Sequence, residues 1–132
     1  MAIFGFGKKG PYVLHIEDDW DTRNLLQDML KAFGYEYIGA ASVEEGLKAA
    51  RSRIPALILL DTMMPFMDGY AGCKLLRADA QLKDIPIIML TALQRMADVE
   101  KAFSAGANDY LVKPVNPARL KEKVGKFLPP KS

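Results

Sequence analysis

Ala56-Leu-Ile-Leu-Leu60-Asp61 is the most hydrophobic strand-like run in the chain, and it stops on an acid. Five consecutive apolar residues between two helical patterns read as a strand buried on both faces, in the middle of a parallel sheet. Such a strand delivers Asp61 to the carboxyl edge of the sheet, where open α/β folds build their sites. The same layout recurs on both sides. Upstream, Tyr12-Val-Leu-His-Ile16 is a compact apolar run that ends in Glu17-Asp18-Asp19. Downstream, Ile85-Pro-Ile-Ile-Met-Leu90 ends in Thr91, with Pro86 near its start, where a strand tolerates it. Asp109-Tyr-Leu-Val112 ends in Lys113-Pro114, and Tyr35 to Ala40 is a further short strand.

Helical patterns fill the gaps. After Asp19, residues Leu25, Leu26, Met29, Leu30 and Phe33 form an apolar face that Gly34 closes. Ser42-Val-Glu-Glu45 is a capping box opening a helix with Val43, Leu47 and Ala50 inward. Thr62 to Asp68 reads as a loop, and Gly69 opens a third helix with Leu75 and Leu76 inward. Ala97 to Ala105 is a fourth helix stopped by Gly106. Asn116-Pro117 is an N-cap followed by proline, opening a last helix that runs to about Phe127 before Pro129-Pro130. Five strand–helix pairs in alternation specify a five-stranded parallel sheet with helices on both faces, a doubly wound (βα)5 fold.

The composition agrees. A chain of 132 residues makes one domain, and it is 50% hydrophobic and 26% charged, a globular balance. Lysine plus arginine is 18 against 16 acids, a net charge of +2, too near neutral for a general nucleic-acid or membrane binder. The single cysteine, Cys73, excludes an internal disulfide framework and a cysteine-based metal site. No apolar run approaches the ~18 residues needed to span a membrane, and residues 1–10 lack the order of a secretory signal. The expectation is a cytoplasmic protein. Residues 1–11 read as a flexible leader, 12–128 as the domain and 129–132 as a tail. Gly5-Phe-Gly-Lys-Lys-Gly10 matches a dinucleotide-loop pattern only formally, because it precedes the first strand instead of following it. Phe4 and Phe6 in the leader are candidate anchors, with a plain mobile tail the favoured reading.

The chemistry converges at the strand ends. Glu17, Asp18, Asp19 and Asp61 are acids, Thr91 is a hydroxyl and Lys113 a cation. Taken singly, each has an ordinary explanation: a cap, a turn, a β-branched strand residue, a solvated lysine. Their coincidence at four strand ends is the signal. If the first and third strands are neighbours, at least three carboxylates meet at one edge and need a cation. An oxygen-only cluster suits a hard ion such as Mg2+, and a lysine and a hydroxyl beside it suit an incoming phosphoryl group.

These residues resemble the response-regulator receiver domain of two-component signalling, a flavodoxin-like fold. The motifs are Val13-Leu-His-Ile-Glu-Asp-Asp19, Leu60-Asp-Thr-Met-Met-Pro65 with Met67-Asp-Gly69, Met89-Leu-Thr-Ala92, and Gly106-Ala-Asn-Asp-Tyr-Leu-Val-Lys-Pro114. Together they cover about Tyr12 to Leu128. The resemblance implies that Asp61 accepts a phosphoryl group from a partner phosphohistidine, on a sensor histidine kinase or a histidine phosphotransfer protein. It implies Mg2+ held by Asp18, by Glu17, by Asp61 and by the backbone carbonyl of Met63. Lys113 would pair with Asp61 and then with the phosphoryl oxygens, and the Lys113–Pro114 bond would be cis. Thr91 and Tyr110 would switch, altering the surface of the fourth helix, fifth strand and fifth helix for a downstream protein effector. Self-catalysed phosphorylation and dephosphorylation would be its only reactions, and the dephosphorylation would be slow because Met63 and Leu93 occupy positions that tune hydrolysis in this family and are apolar here. Asp19 reads as a surface residue or cap, His15 as a packed core histidine and Cys73 as a buried helix residue.

Two other readings remain open: a haloacid-dehalogenase-type Mg2+ phosphatase, which needs an aspartate where Met63 stands, and a phosphorylation-independent binding module. The chain reads as free-standing, with no direct nucleic-acid contact and no membrane span, and as a monomer with dimerisation on phosphorylation left open.

Overall fold

The computed structural model describes residues 10–65, 67–92 and 95–128. The leader residues 1–9, with Phe4, Phe6 and most of the glycine pattern, lie outside the described residues, as do Leu93 and the tail 129–132. The described chain alternates strand and helix throughout: β1 (Tyr12–Ile16), α1 (Trp20–Ala32), β2 (Glu36–Ala40), α2 (Val43–Ser52), β3 (Leu57–Asp61), α3 (Gly69–Ala78), β4 (Ile87–Thr91), α4 (Met96–Ser104), β5 (Asp109–Val112) and α5 (Pro117–Phe127). All strand pairs are parallel, in the order β2-β1-β3-β4-β5. The chain runs outward from β1 to β2 and then returns past it to β3, so β1 and β3 are neighbours and the topological switch lies between them.

Strand alternation divides the core in two. Leu14, Ile16, Ile58, Leu60, Ile87 and Met89 face Val43, Ala50, Cys73, Leu76 and Ala102 of α2, α3 and α4. Val13, Leu57, Leu59, Ile88, Leu90 and Leu111 face Leu26 and Leu30 of α1 and Leu120 and Val124 of α5. Every residue of β1, β3 and β4 is buried.

Local signals account for most helix ends. Asp19 caps α1 by accepting from the Thr22 N–H at 2.9 Å. Ser42 caps α2 through the Glu45 N–H at 3.1 Å, and Glu45 reaches back to the Ala41 N–H at 3.4 Å. Asn116 caps α5 with Pro117 behind it. The glycine stops Gly34 and Gly106 have φ of 92° and 110°. The helix α4 has no side-chain cap; Arg95 precedes it.

Two details of the sequence reading are corrected. Leu25 is 53% exposed and Leu75 is 44% exposed, so neither faces the core. The buried stripes run through Leu26 and Leu30 in α1 and through Gly69, Gly72, Cys73 and Leu76 in α3. An adjacent leucine is rotated about 100° away from such a stripe. The strand starts also shift: β4 begins at Ile87 because Pro86 has no N–H to give the ladder.

His15 is fully buried, with Nδ1 2.7 Å from the Tyr37 hydroxyl and Nε2 without a hydrogen-bond partner. Burial, then the Lys113 and Arg23 charges, lower its pKa from 6.5 to about 3. The unfolded chain therefore takes up a proton as pH falls through 6.5, while the folded protein does not until about 3. The His15 contribution to stability should therefore fall with pH across that window, by up to about 1.4 kcal/mol per unit, while a buried acid whose pKa folding raises contributes with the opposite sign. Urea midpoints of wild type and His15→Leu between pH 7 and 4 check this: the variant should gain on the wild type as pH falls, and a difference that does not change with pH would exclude the His15 contribution.

Candidate functional site

The site forms where β1 and β3 end side by side. By strand alternation, Glu17 continues the face of Val13 and His15, and Asp61 that of Leu57 and Leu59; Lys113 likewise follows Leu111. All three thus rise from the rim of the α1–α5 face. Carboxylate oxygens of Glu17, Asp18 and Asp61 lie within 4.8 Å of one another. Lys113 closes the group: its Nζ donates to Asp61 Oδ1 at 2.7 Å and to Glu17 Oε1 at 3.0 Å. Asp61 and Glu17 are each 2% exposed, while Asp18 is exposed. The peptide bond between Lys113 and Pro114 is cis.

The electrostatics follow from packing acids together. Burial raises the Glu17 pKa from 4.5 to about 7; the Lys113 hydrogen bond opposes the shift and the Asp61 charge adds to it. Burial pushes the Lys113 ammonium down, but its two carboxylate partners outweigh that and hold it above the ordinary lysine value. One lysine thus faces more negative charge than it neutralises, the condition under which a hard cation binds well. Asp19 stands apart: its hydrogen bonds to Thr22 lower its pKa and mark it as the helix cap.

The β3–α3 loop builds the other wall. Met63 N–H points at Asp61 Oδ1 at 3.3 Å, and the Met63 side chain is 67% exposed. Met64 and Met67 pack against the core. Asp68 caps α3, and Gly69 brings that helix against the site: a Cβ there would stand 2.1 Å from the Asp61 carbonyl oxygen. No side chain fits at that approach.

Thr91 and Tyr110 occupy the opposite face. Thr91 is buried at the end of β4 and follows Met89, while Tyr110 pairs in register with Met89 and packs against the α2–α4 core. The Tyr110 ring meets Phe103 of α4 edge-on at 6.1 Å, and Lys123 of α5 lies 5.4 Å from its centre. Lys123 also pairs with Asp109 at 2.8 Å. A cleft of about 410 Å³ runs along β5 past Tyr110, Lys113, Pro114 and Arg119, beside the acidic cluster and not on it. Phe103, Lys123 and the Glu17–Lys113 bond were not legible in the sequence, because they depend on how three elements meet. Arg23 donates to the Glu17 and Asp18 carbonyls; its position one helical turn after Asp19 was the only available signal.

A parallel α/β module with an acidic rim on β1 and β3, closed by a lysine from β5, is the architecture of a phosphoacceptor switch. The chain belongs to the response regulator receiver domain family, whose model matches residues 13–125. Among curated relatives, a probable transcriptional regulator ycf27 of Pyropia yezoensis is 40% identical over 116 residues, 88% of this chain and 46% of that protein. The transcriptional regulatory protein AfsQ1 of Streptomyces coelicolor is 45% identical over 105 residues, 80% of this chain and 45% of that protein. The chain therefore spans just under half the length of these relatives. The chemotaxis protein CheY4 of Vibrio cholerae superposes with a TM-score of 0.85 at 32% identity, covering 91% of this chain and 100% of that one. The receiver domain of sensor histidine kinase PA1611 from Pseudomonas aeruginosa, solved with a magnesium ion in its active-site cleft, gives 0.82 at 31% identity, covering 90% and 98%.

The comparisons bear out the flavodoxin-like fold and the signalling-switch reading over the phosphatase alternative. The expectation of no direct nucleic-acid contact finds no support in them, since the relatives are named as transcriptional regulators. No helix among the described residues is long and apolar enough to cross a membrane.

Proposed function

We propose that this receiver domain takes a phosphoryl group onto Asp61 from a phosphohistidine of a histidine kinase or histidine phosphotransfer protein, and relays the change to a protein effector in the cytoplasm. The observation that carries the reading is the Asp61 carboxylate, nearly buried, held by Lys113 beside Glu17 and Asp18. Asp61 Oδ1 is anchored by Lys113 and by the Met63 N–H, which leaves Oδ2 as the attacking oxygen. The oxygen–phosphorus bond forms as the phosphorus–nitrogen bond of the donor breaks, and the imidazole leaves with its electron pair. Chemistry of this kind needs positioning and charge neutralisation more than covalent assistance.

The donor set fits Mg2+. It is oxygen-only, two carboxylates are buried, and the exposed Asp18 leaves room for the waters that Mg2+ retains. Glu17, Asp18, Asp61 and the Met63 carbonyl are the residues that would hold it, and its contribution is neutralisation of the phosphoryl charge. Lys113 then moves its ammonium from the carboxylate to a phosphoryl oxygen. Thr91 offers a hydroxyl, and its movement vacates space for Tyr110, which is already half-buried between α4 and α5. The surface of α4, β5 and α5 is the readout. The domain boundaries we assign are 12–128.

The test is intact mass after incubation with Mg2+ and acetyl phosphate. One phosphoryl group, absent in EDTA, supports the reading; no adduct on folded protein, under conditions that label a control receiver, favours a phosphorylation-independent binding module.

Met63 carries a second expectation. An exposed thioether two residues past Asp61 offers no hydrogen bond to orient a hydrolytic water. The phosphoryl group should last minutes or longer, and Met63→Asn should shorten its lifetime about tenfold. A wild-type lifetime of seconds, followed by mass spectrometry after removal of the donor, refutes this.

A further inference from the structure

Arg23 lies one turn into α1, half-buried, and belongs to no motif of the site. Its Nη1 donates to the main-chain carbonyl of Glu17 at 2.7 Å and to that of Asp18 at 3.0 Å. Those two carbonyls lie on either side of the Asp18 Cα. Each peptide unit is planar, so fixing both carbonyls fixes both planes and with them the direction of the Asp18 Cα–Cβ bond. Asp18 needs this help. Glu17 is buried and bonded to Lys113, and Asp61 is buried and bonded to Lys113, but Asp18 is exposed and has no packing to aim it. The turn is also held by the Glu17 N–H, which donates to the Ala40 carbonyl at 2.9 Å, and by the Asp19 N–H, which donates to Glu17 Oε2 at 3.2 Å.

The sheet makes room for the arginine. At Gly39 on β2 an added Cβ would stand 3.2 Å from Arg23 Cδ and 3.0 Å from the Tyr37 hydroxyl, so the bare backbone is the bed on which the arginine stem lies. Among the described residues Arg23 forms no ion pair. Its Nη1 serves both carbonyls.

We infer that Arg23 is a positioning residue for the divalent-cation site: by pinning the peptide planes on either side of Asp18, it aims an exposed carboxylate at Asp61. The inference rests on the reading of Glu17, Asp18 and Asp61 as a Mg2+ site. It opposes what charge alone dictates. A guanidinium beside a cation site repels the cation, so removing it would tighten Mg2+ binding if Arg23 acted only through its charge. Loss of positioning weakens binding, and partners one layer behind the ligands are typically worth about 10–100-fold in metal affinity.

Mg2+ affinity of the full chain is measured by calorimetry, with fluorescence of Trp20 as a second readout; it is the single tryptophan, at the start of α1 and 67% exposed. The variants are Arg23→Gln, Arg23→Lys and Asp18→Asn, each with its urea midpoint in EDTA. Arg23→Gln should weaken Mg2+ about tenfold or more. Arg23→Lys keeps the charge on a shorter stem and should recover part of the loss. Gly39→Ala crowds the Arg23 stem and also the Tyr37 hydroxyl, so it is compared with Tyr37→Phe; binding weakened in Gly39→Ala and unchanged in Tyr37→Phe decides the matter if Arg23→Gln does not fold. At saturating Mg2+, phosphorylation of Arg23→Gln by acetyl phosphate should return to the wild-type rate. Unchanged or tighter Mg2+ binding in Arg23→Gln, with Asp18→Asn weakened, overturns the inference alone. Wild-type binding in Asp18→Asn overturns the cation site itself, and the inference with it.

Discussion

Replacing Asp61 by asparagine should abolish phosphoryl uptake from acetyl phosphate in Mg2+, with the wild type gaining one group under the same conditions. The swap keeps shape and removes the proposed nucleophile. An amide oxygen carries no full charge, and the Lys113 ammonium at 2.7 Å loses one of its two carboxylate partners and keeps Glu17. The variant should fold, because it also removes one of three carboxylates crowded within 4.8 Å. The Asp61 charge raises the Glu17 pKa, so Glu17 should titrate lower in the variant. Intact mass reads the uptake and circular dichroism the fold. A phosphoryl adduct that survives in Asp61→Asn would move the acceptor to another residue.

Replacing Lys113 by alanine should do two things at once. It leaves Glu17 and Asp61, each 2% exposed, without their shared cation. Breaking a buried pair from one side leaves an uncompensated charge; Lys113 is 27% exposed and Glu17 can take a proton, so the loss should be about 1–3 kcal/mol at neutral pH. Phosphoryl uptake should also slow, since the cation that would meet the phosphoryl oxygens is gone. Added Mg2+ should restore part of the stability, because a divalent cation relieves the same repulsion, but not the rate. Urea midpoints with and without Mg2+ read the stability, and intact mass followed over time reads the rate of uptake. A Lys113→Ala variant as stable as wild type in EDTA would show that the pair contributes nothing to the fold.

These expectations draw on different depths of information. The five strands, their parallel arrangement and the acids, hydroxyl and lysine at their ends were legible because they rest on local chemistry. A run such as Leu57–Leu60 has one stable environment, a sheet covered on both faces. Caps such as Asp19, Ser42 and Asn116 act within four residues of themselves. Leu25 and Leu75 show the limit of that reading: apolar character alone does not say which of two adjacent leucines lies on the buried stripe.

Contacts between elements distant in the chain were decided only by the fold. Alternation along each strand placed Glu17, Asp61 and Lys113 on one face of the sheet and Thr91 and Tyr110 on the other, once the order β2-β1-β3-β4-β5 was set. Lys113 reaches Glu17 across 96 residues of sequence. Phe103 and Lys123 meet Tyr110 from two helices. Arg23 acts through main-chain carbonyls, which every residue carries and no motif records. Residue identity is read one position at a time, so the sequence by itself determined which chemical groups this protein has at its sheet edge. Distance and burial belong to pairs of positions, so only the tertiary structure decided which groups meet in an ion pair, a ring contact or a hydrogen bond.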